Sequence, residues 1–90
     1  MKEEELREGV LSSLSGIAPE IDVSEIEPDV DLREQFDIDS MDLLNFIIAL
    51  HEMAGVDIPE SDYTKLATLD GCVEYLGAKI RARQEVGRSD

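Results

Sequence analysis

Apolar positions along this chain repeat every three to four residues in separate blocks, and no stretch alternates as a strand would. Leu6, Val10, Leu14 and Ile17 predict a first helix from about Glu3 that ends near Ser15-Gly16. Gly16 is placed there as a stop, since glycine takes the left-handed conformation at little cost. About 22 residues follow, holding Pro19 and Pro28 but also Ile21, Val23, Ile26, Val30, Leu32 and Phe36. That segment is too long for a simple connection and too apolar for a linker, so it predicts an ordered loop pinned onto the core. Asp39 is placed to cap a second helix, with Ser40 and Met41 in its first turn and Asp42 three residues beyond the cap. This helix runs to about Ala54 and stops at Gly55. After Val56-Asp57-Ile58-Pro59 comes a short third helix around Glu60–Leu66. Thr68 caps a fourth, with Leu69, Cys72, Val73, Leu76 and Ile80 on one face. Beyond Arg83 the pattern stops. The expectation is an all-α, small four-helix bundle over residues 1–83, three main helices plus one short one, with residues 84–90 a frayed tail.

The second helix carries more apolar residues than one face can use. Leu43, Phe46, Ile47, Leu50 and Ala54 make a complete core-facing stripe. Met41, Leu44 and Ile48 remain, spaced as a second stripe on a different face. Either the long loop lies over them, or they form an exposed strip rimmed by Asp42, Asn45 and Glu52 on which a partner docks. A serine at the start of the strip favours docking.

Composition narrows the function classes. The 90 residues carry a formal net charge of −14 with a pI near 4.2. Nucleic acids and anionic membranes need basic patches on their partners, so neither fits. The charge is also sorted: residues 2–39 hold thirteen acids against three bases, 40–69 five against one, and 70–90 four of each. The acidic part creates a field that steers a basic partner. Cys72 is the single cysteine, so no internal disulfide forms, and its place on the inner face of the fourth helix reads as core. The N-terminus is acidic and lacks the apolar stretch of a secretory signal, and no apolar run approaches membrane-spanning length. The expectation is a cytoplasmic protein.

Ser40 has chemistry to offer as an acceptor but not as a catalyst. A helix N-terminus favours an attached phosphate through its free N–H groups and dipole. The one histidine, His51, lies three turns down the helix, so no base reaches the hydroxyl and no catalytic residues are assigned. A calcium loop among Asp29, Asp31, Asp37, Asp39 and Asp42 fails, because Arg33 stands where a ligand is needed and Glu34 where glycine is required. No metal site is assigned.

The run Asp39-Ser40-Met41-Asp42 resembles the Asp-Ser-Leu-Asp signature of acyl carrier proteins. The resemblance extends without gaps from about Leu32 to Leu76, through the Gly55 break, Asp57-Ile58-Pro59, Lys65-Leu66, Ala67-Thr68 and Val73-Glu74-Tyr75-Leu76. It implies that Ser40 receives 4′-phosphopantetheine from coenzyme A through a phosphopantetheinyl transferase, with Asp39 assisting transferase recognition or its metal site. The thiol would then hold an acyl group as a thioester in fatty acid biosynthesis or related lipid metabolism. Carried over by position, Met41, Asp42, Leu44, Ile48 and Glu52 dock partner enzymes, and Phe46, Ile47, Ile58 and Leu69 line the acyl chain. Those partners would be acyl-transferring or condensing enzymes with basic docking surfaces, visited by a monomeric carrier. Three positions depart from the family pattern. Asp37 replaces a glycine, Met41 replaces leucine, and Asn45 and His51 stand where glutamate is usual. The last change weakens ionic docking and points to a specialised, free-standing carrier of a lipid or secondary-metabolite pathway. An acidic adaptor of the same fold without a prosthetic group, and a carrier for amino acids, are the alternative readings.

Overall fold

The computed structural model describes residues 2–88 and is helical, with helices α1 (Glu3–Ile17), α2 (Leu32–Gln35), α3 (Ser40–Ala54) and α4 (Leu69–Arg88). A 3-10 turn at Val23–Glu25 and a 3-10 helix at Glu60–Leu66 complete it, and no strand occurs among the described residues. The second, third and fourth helices expected from the sequence are therefore α3, the 3-10 helix and α4. The four-helix bundle is present. Among the described residues no helix is long and apolar enough to cross a membrane.

Packing follows the apolar pattern. α1 lies against both α3 and α4. Leu6, Val10 and Leu14 meet Phe46, Ile47 and Leu50 from α3 and Cys72, Val73, Leu76 and Ile80 from α4, all buried. The Cys72 thiol donates to the Leu66 carbonyl at 3.3 Å, and burial pushes its pKa up to about 12, so it is an inert core residue.

Two boundaries differ from expectation. α1 continues through Gly16 to Ile17, where the Ala18 N–H returns to the Leu14 carbonyl at 2.9 Å. Ala18 is buried and Ile17 packs against the core, so burial carries the helix past its stop signal. Gly55 alone among the described residues takes a positive φ, 67°, and closes α3. At the other end, α4 runs to Arg88 rather than stopping at Arg83, so residues 84–88 are helical instead of a frayed tail. Ser89 and Asp90 lie outside the described residues.

The long loop is ordered by specific bonds. Gln35 clamps it, donating to the carbonyls of Glu27 and Val30 and accepting from the Glu27 N–H, each at 2.9 Å. Leu32 is buried and its N–H reaches the Ala67 carbonyl at 2.8 Å, while the Asp70 N–H reaches Pro28 at 3.0 Å. These bonds tie the loop to the start of α4.

Two predictions follow from the α4 region. Gly71 sits where an added Cβ would lie 2.6 Å from the Lys65 carbonyl and 3.0 Å from Thr68 Oγ1, the oxygen that caps the Gly71 N–H at 2.9 Å. Gly71→Ala should therefore cost about 1–3 kcal/mol in urea unfolding. Gly16→Ala meets nothing within 4 Å, so it should stabilise by about 0.5–1 kcal/mol. The second concerns the Tyr75 hydroxyl, which donates to Asp62 Oδ2 at 2.5 Å. That bond holds the Asp62 carboxyl below its ordinary 3.8, while burial and the facing carboxylate raise the phenol to about 12. The lowered carboxyl stabilises the fold above pH 3.8 and gives this up on acidification, and the raised phenol does so below pH 10 and gives it up towards pH 12. The Tm gap between wild type and Tyr75→Phe should be widest at neutral pH and shrink at both extremes.

Candidate functional site

The site begins with the residues that fix the start of α3. Ile38 is buried, and its carbonyl accepts from Arg33 Nε at 3.3 Å, which sets the chain entering the helix. Asp39 is extended, and its carboxylate accepts from the Asp42 N–H at 2.8 Å while its carbonyl accepts from Leu43 N–H at 3.0 Å. Ser40 is the first helical residue and is exposed. The N–H groups of Ser40 and Met41 have no partner among the described residues. Free N–H groups at the positive end of a 15-residue helix suit a phosphate ester on the serine oxygen. The donor set and the exposure therefore fit a phosphate-linked group. His51 lies eleven residues on, about 16 Å along the axis, with its ring nitrogen on the Val56 carbonyl at 2.6 Å. It cannot activate Ser40, so the serine is a point of attachment for a group delivered by another protein.

The two stripes of α3 separate cleanly. Phe46, Ile47, Leu50 and Ala54 are buried, and Leu43 is half-buried against them. Met41, Leu44 and Ile48 are 65%, 40% and 46% exposed and are the large apolar side chains on the described surface. Asn45 and Glu52 are exposed beside them and Asp42 is half-buried. The loop does not cover the strip, because its bonds run to Ala67 and Asp70 instead. An apolar strip thus leads away from Ser40.

Of the residues considered for lining an acyl chain, the structure brings two together. Ile47 and Ile58 share an open groove of about 430 Å³ with Ile48 and Pro59 as further apolar walls. Phe46 and Leu69 lie outside it, 1% and 2% exposed in the packed core. The groove also holds His51, Asp57 and Tyr63, which periodicity did not single out because they come from α3, the following turn and the 3-10 helix. The turn after Gly55 was the only signal that could have drawn them in. A second concavity of about 480 Å³ lies between α1 and α4, bridged by an Arg7–Asp70 ion pair at 3.0 Å.

Comparison with known proteins bears on this geometry. Residues 9–76 match the phosphopantetheine attachment site family. An acyl carrier protein of Rubrobacter xylanophilus is 33% identical over 73 residues, spanning 78% of this chain and 90% of the relative. A polyketide-8 synthase acyl carrier protein 2 of Streptomyces avermitilis is 32% identical over 80 residues, spanning 89% and 86%. An acyl carrier protein of Thermosynechococcus vestitus is 31% identical over 62 residues, spanning 69% and 76%. Proteins of this family are non-catalytic, carry a covalently attached 4′-phosphopantetheine and interact with synthase or transferase enzymes. A helical bundle with an exposed serine at a capped helix start, matched to that family over most of its length, belongs to the acyl carrier proteins.

Proposed function

We propose that the Ser40 hydroxyl is the attachment point of 4′-phosphopantetheine and that the arm's thiol carries an acyl group as a thioester between partner enzymes. The observation that carries this reading is the exposed Ser40 at the capped start of α3, with the Met41–Leu44–Ile48 strip leading from it. Attachment forms a bond from Ser40 Oγ to phosphorus as the pyrophosphate link of coenzyme A breaks. The adenosine bisphosphate leaves, and a base of the phosphopantetheinyl transferase takes the serine proton. Asp39 uses one carboxylate oxygen on the Asp42 N–H, and its charge serves transferase recognition or the transferase's metal. When bound, the group supplies a long flexible thiol arm and no further chemistry.

Met41, Leu44 and Ile48 form the apolar centre of the docking surface, with Asp42 and Glu52 at its rim for basic residues of acyl-transferring or condensing enzymes. Ile47 and Ile58 contact the cargo in the groove, backed by Phe46 and Leu69 in the core. Asn45 and His51 leave α3 less acidic than a fully ionic docking helix, which supports a dedicated partner in a specialised lipid or secondary-metabolite pathway. The similarity to a polyketide-8 synthase acyl carrier protein supports the same reading. The carrier works as a cytoplasmic monomer.

Intact mass spectrometry after incubation with coenzyme A and a broad-specificity phosphopantetheinyl transferase checks the attachment. Wild type should gain one phosphopantetheine increment and Ser40→Ala none. A folded wild-type protein that gains nothing from several transferases would leave the adaptor reading in its place.

A further inference from the structure

The groove beside α3 is not a plain hydrocarbon slot. Ile47, Ile48, Ile58 and Pro59 supply apolar walls, but His51, Asp57 and Tyr63 open onto the same space. Behind the walls the core is closed, with Phe46, Leu66 and Leu69 at 1–2% exposure, so a cargo lying in the groove stays within reach of these polar groups. His51 is the most constrained of them. Its Nδ1 lies 2.6 Å from the Val56 carbonyl, and a carbonyl oxygen can only accept, so Nδ1 carries the proton. In the neutral ring Nε2 is then a pure acceptor, and it is the nitrogen left to a groove occupant. The Asp57 carboxylate is a second acceptor on the groove wall. Two acceptors in an otherwise apolar groove select a cargo that brings a donor of its own, because a saturated chain would strip water from them and give nothing back.

We infer that His51 is a specificity-determining residue for the cargo, its Nε2 accepting a hydrogen bond from a hydroxyl on a short acyl chain lying in the groove. The carrier therefore holds hydroxyacyl chains in preference to saturated chains of equal length. This rests on the attachment of the arm at Ser40. The helical rise from Ser40 to His51 is about 16 Å, a distance an extended phosphopantetheine arm spans. Ile48 belongs to both the groove and the exposed strip, so the cargo site runs directly into the docking surface.

The test compares 3-hydroxybutyryl and butyryl cargo on the full chain, loaded from the corresponding coenzyme A thioesters and verified by mass. In parallel, Ser40→Cys alkylated with a haloacetyl derivative of each acyl-pantetheine carries the same cargo without any transferase, since Cys72 is buried and does not compete. Ring nitrogen chemical shifts of His51 are the readout. The Nε2 resonance should move with the hydroxylated cargo and stay with the saturated one, while Nδ1 keeps its carbonyl-bonded position. His51→Gln, which retains an acceptor, should preserve the longer thioester lifetime of hydroxybutyryl over butyryl, and His51→Leu should lose it by roughly three- to tenfold. Equal shifts from both cargoes, or none from either, overturn the inference. If enzymatic loading fails and the alkylated protein still shows the selective shift, the attachment reading falls and the groove assignment stands.

Discussion

The hydrogen bonds that Asp39 receives from Asp42 and Leu43 decide where α3 begins, and the position of nearly every functional side chain depends on that start. They make Ser40 the first helical residue, exposed and beside free N–H groups. They also set the rotation of everything that follows, because one residue of slip turns each side chain by about 100° around the axis. A start displaced by one residue would push Met41, Leu44 and Ile48 towards the core and swing Phe46 and Leu50 towards water. The cap is thus a local bond with a long-range consequence. It aligns the attachment point, the docking strip and the core stripe on a single rigid element.

Exposure of the strip needs a second condition, which is that the loop between α1 and α3 be held elsewhere. Its residues are apolar enough to have covered the strip. Instead Leu32 is buried under the bond from its N–H to Ala67, and Pro28 is held by Asp70. The loop's hydrophobic residues are spent on the core near α4, and its carboxylates stay in solvent. The surface that results is apolar along α3 and acidic before it. A partner with an apolar contact and a basic margin matches both parts.

How much of this could be read from the sequence varied with the range of the interaction. α3 was legible at both ends, because Asp39 and Gly55 act on their own immediate neighbours, and its two stripes follow from helical period alone. Thr68 as a cap was legible for the same reason. The end of α1 was not, since the signal at Gly16 competes with burial of Ile17 and Ala18, which depends on the rest of the bundle. The short helix at Leu32–Gln35 escaped because Gln35 and the Ala67 carbonyl hold it from distant positions. α4 outruns its apolar pattern, since good helix formers propagate a helix without burying anything. The groove was half legible. Ile47 and Ile58 were placed by family position, but His51, Asp57 and Tyr63 meet only once three segments are folded together.

The central claim is that the strip on α3 is a recognition surface rather than a tolerated patch of exposed residues. Its most direct test is the kcat/KM for phosphopantetheine transfer onto Leu44→Asp and Ile48→Asp, with thermal unfolding as the control for folding. Both side chains are substantially exposed, so Tm should change little, while kcat/KM should fall on the order of tenfold or more. Unchanged transfer in folded variants would contradict the account, and a matching loss of Tm would mean that the strip is part of the core after all.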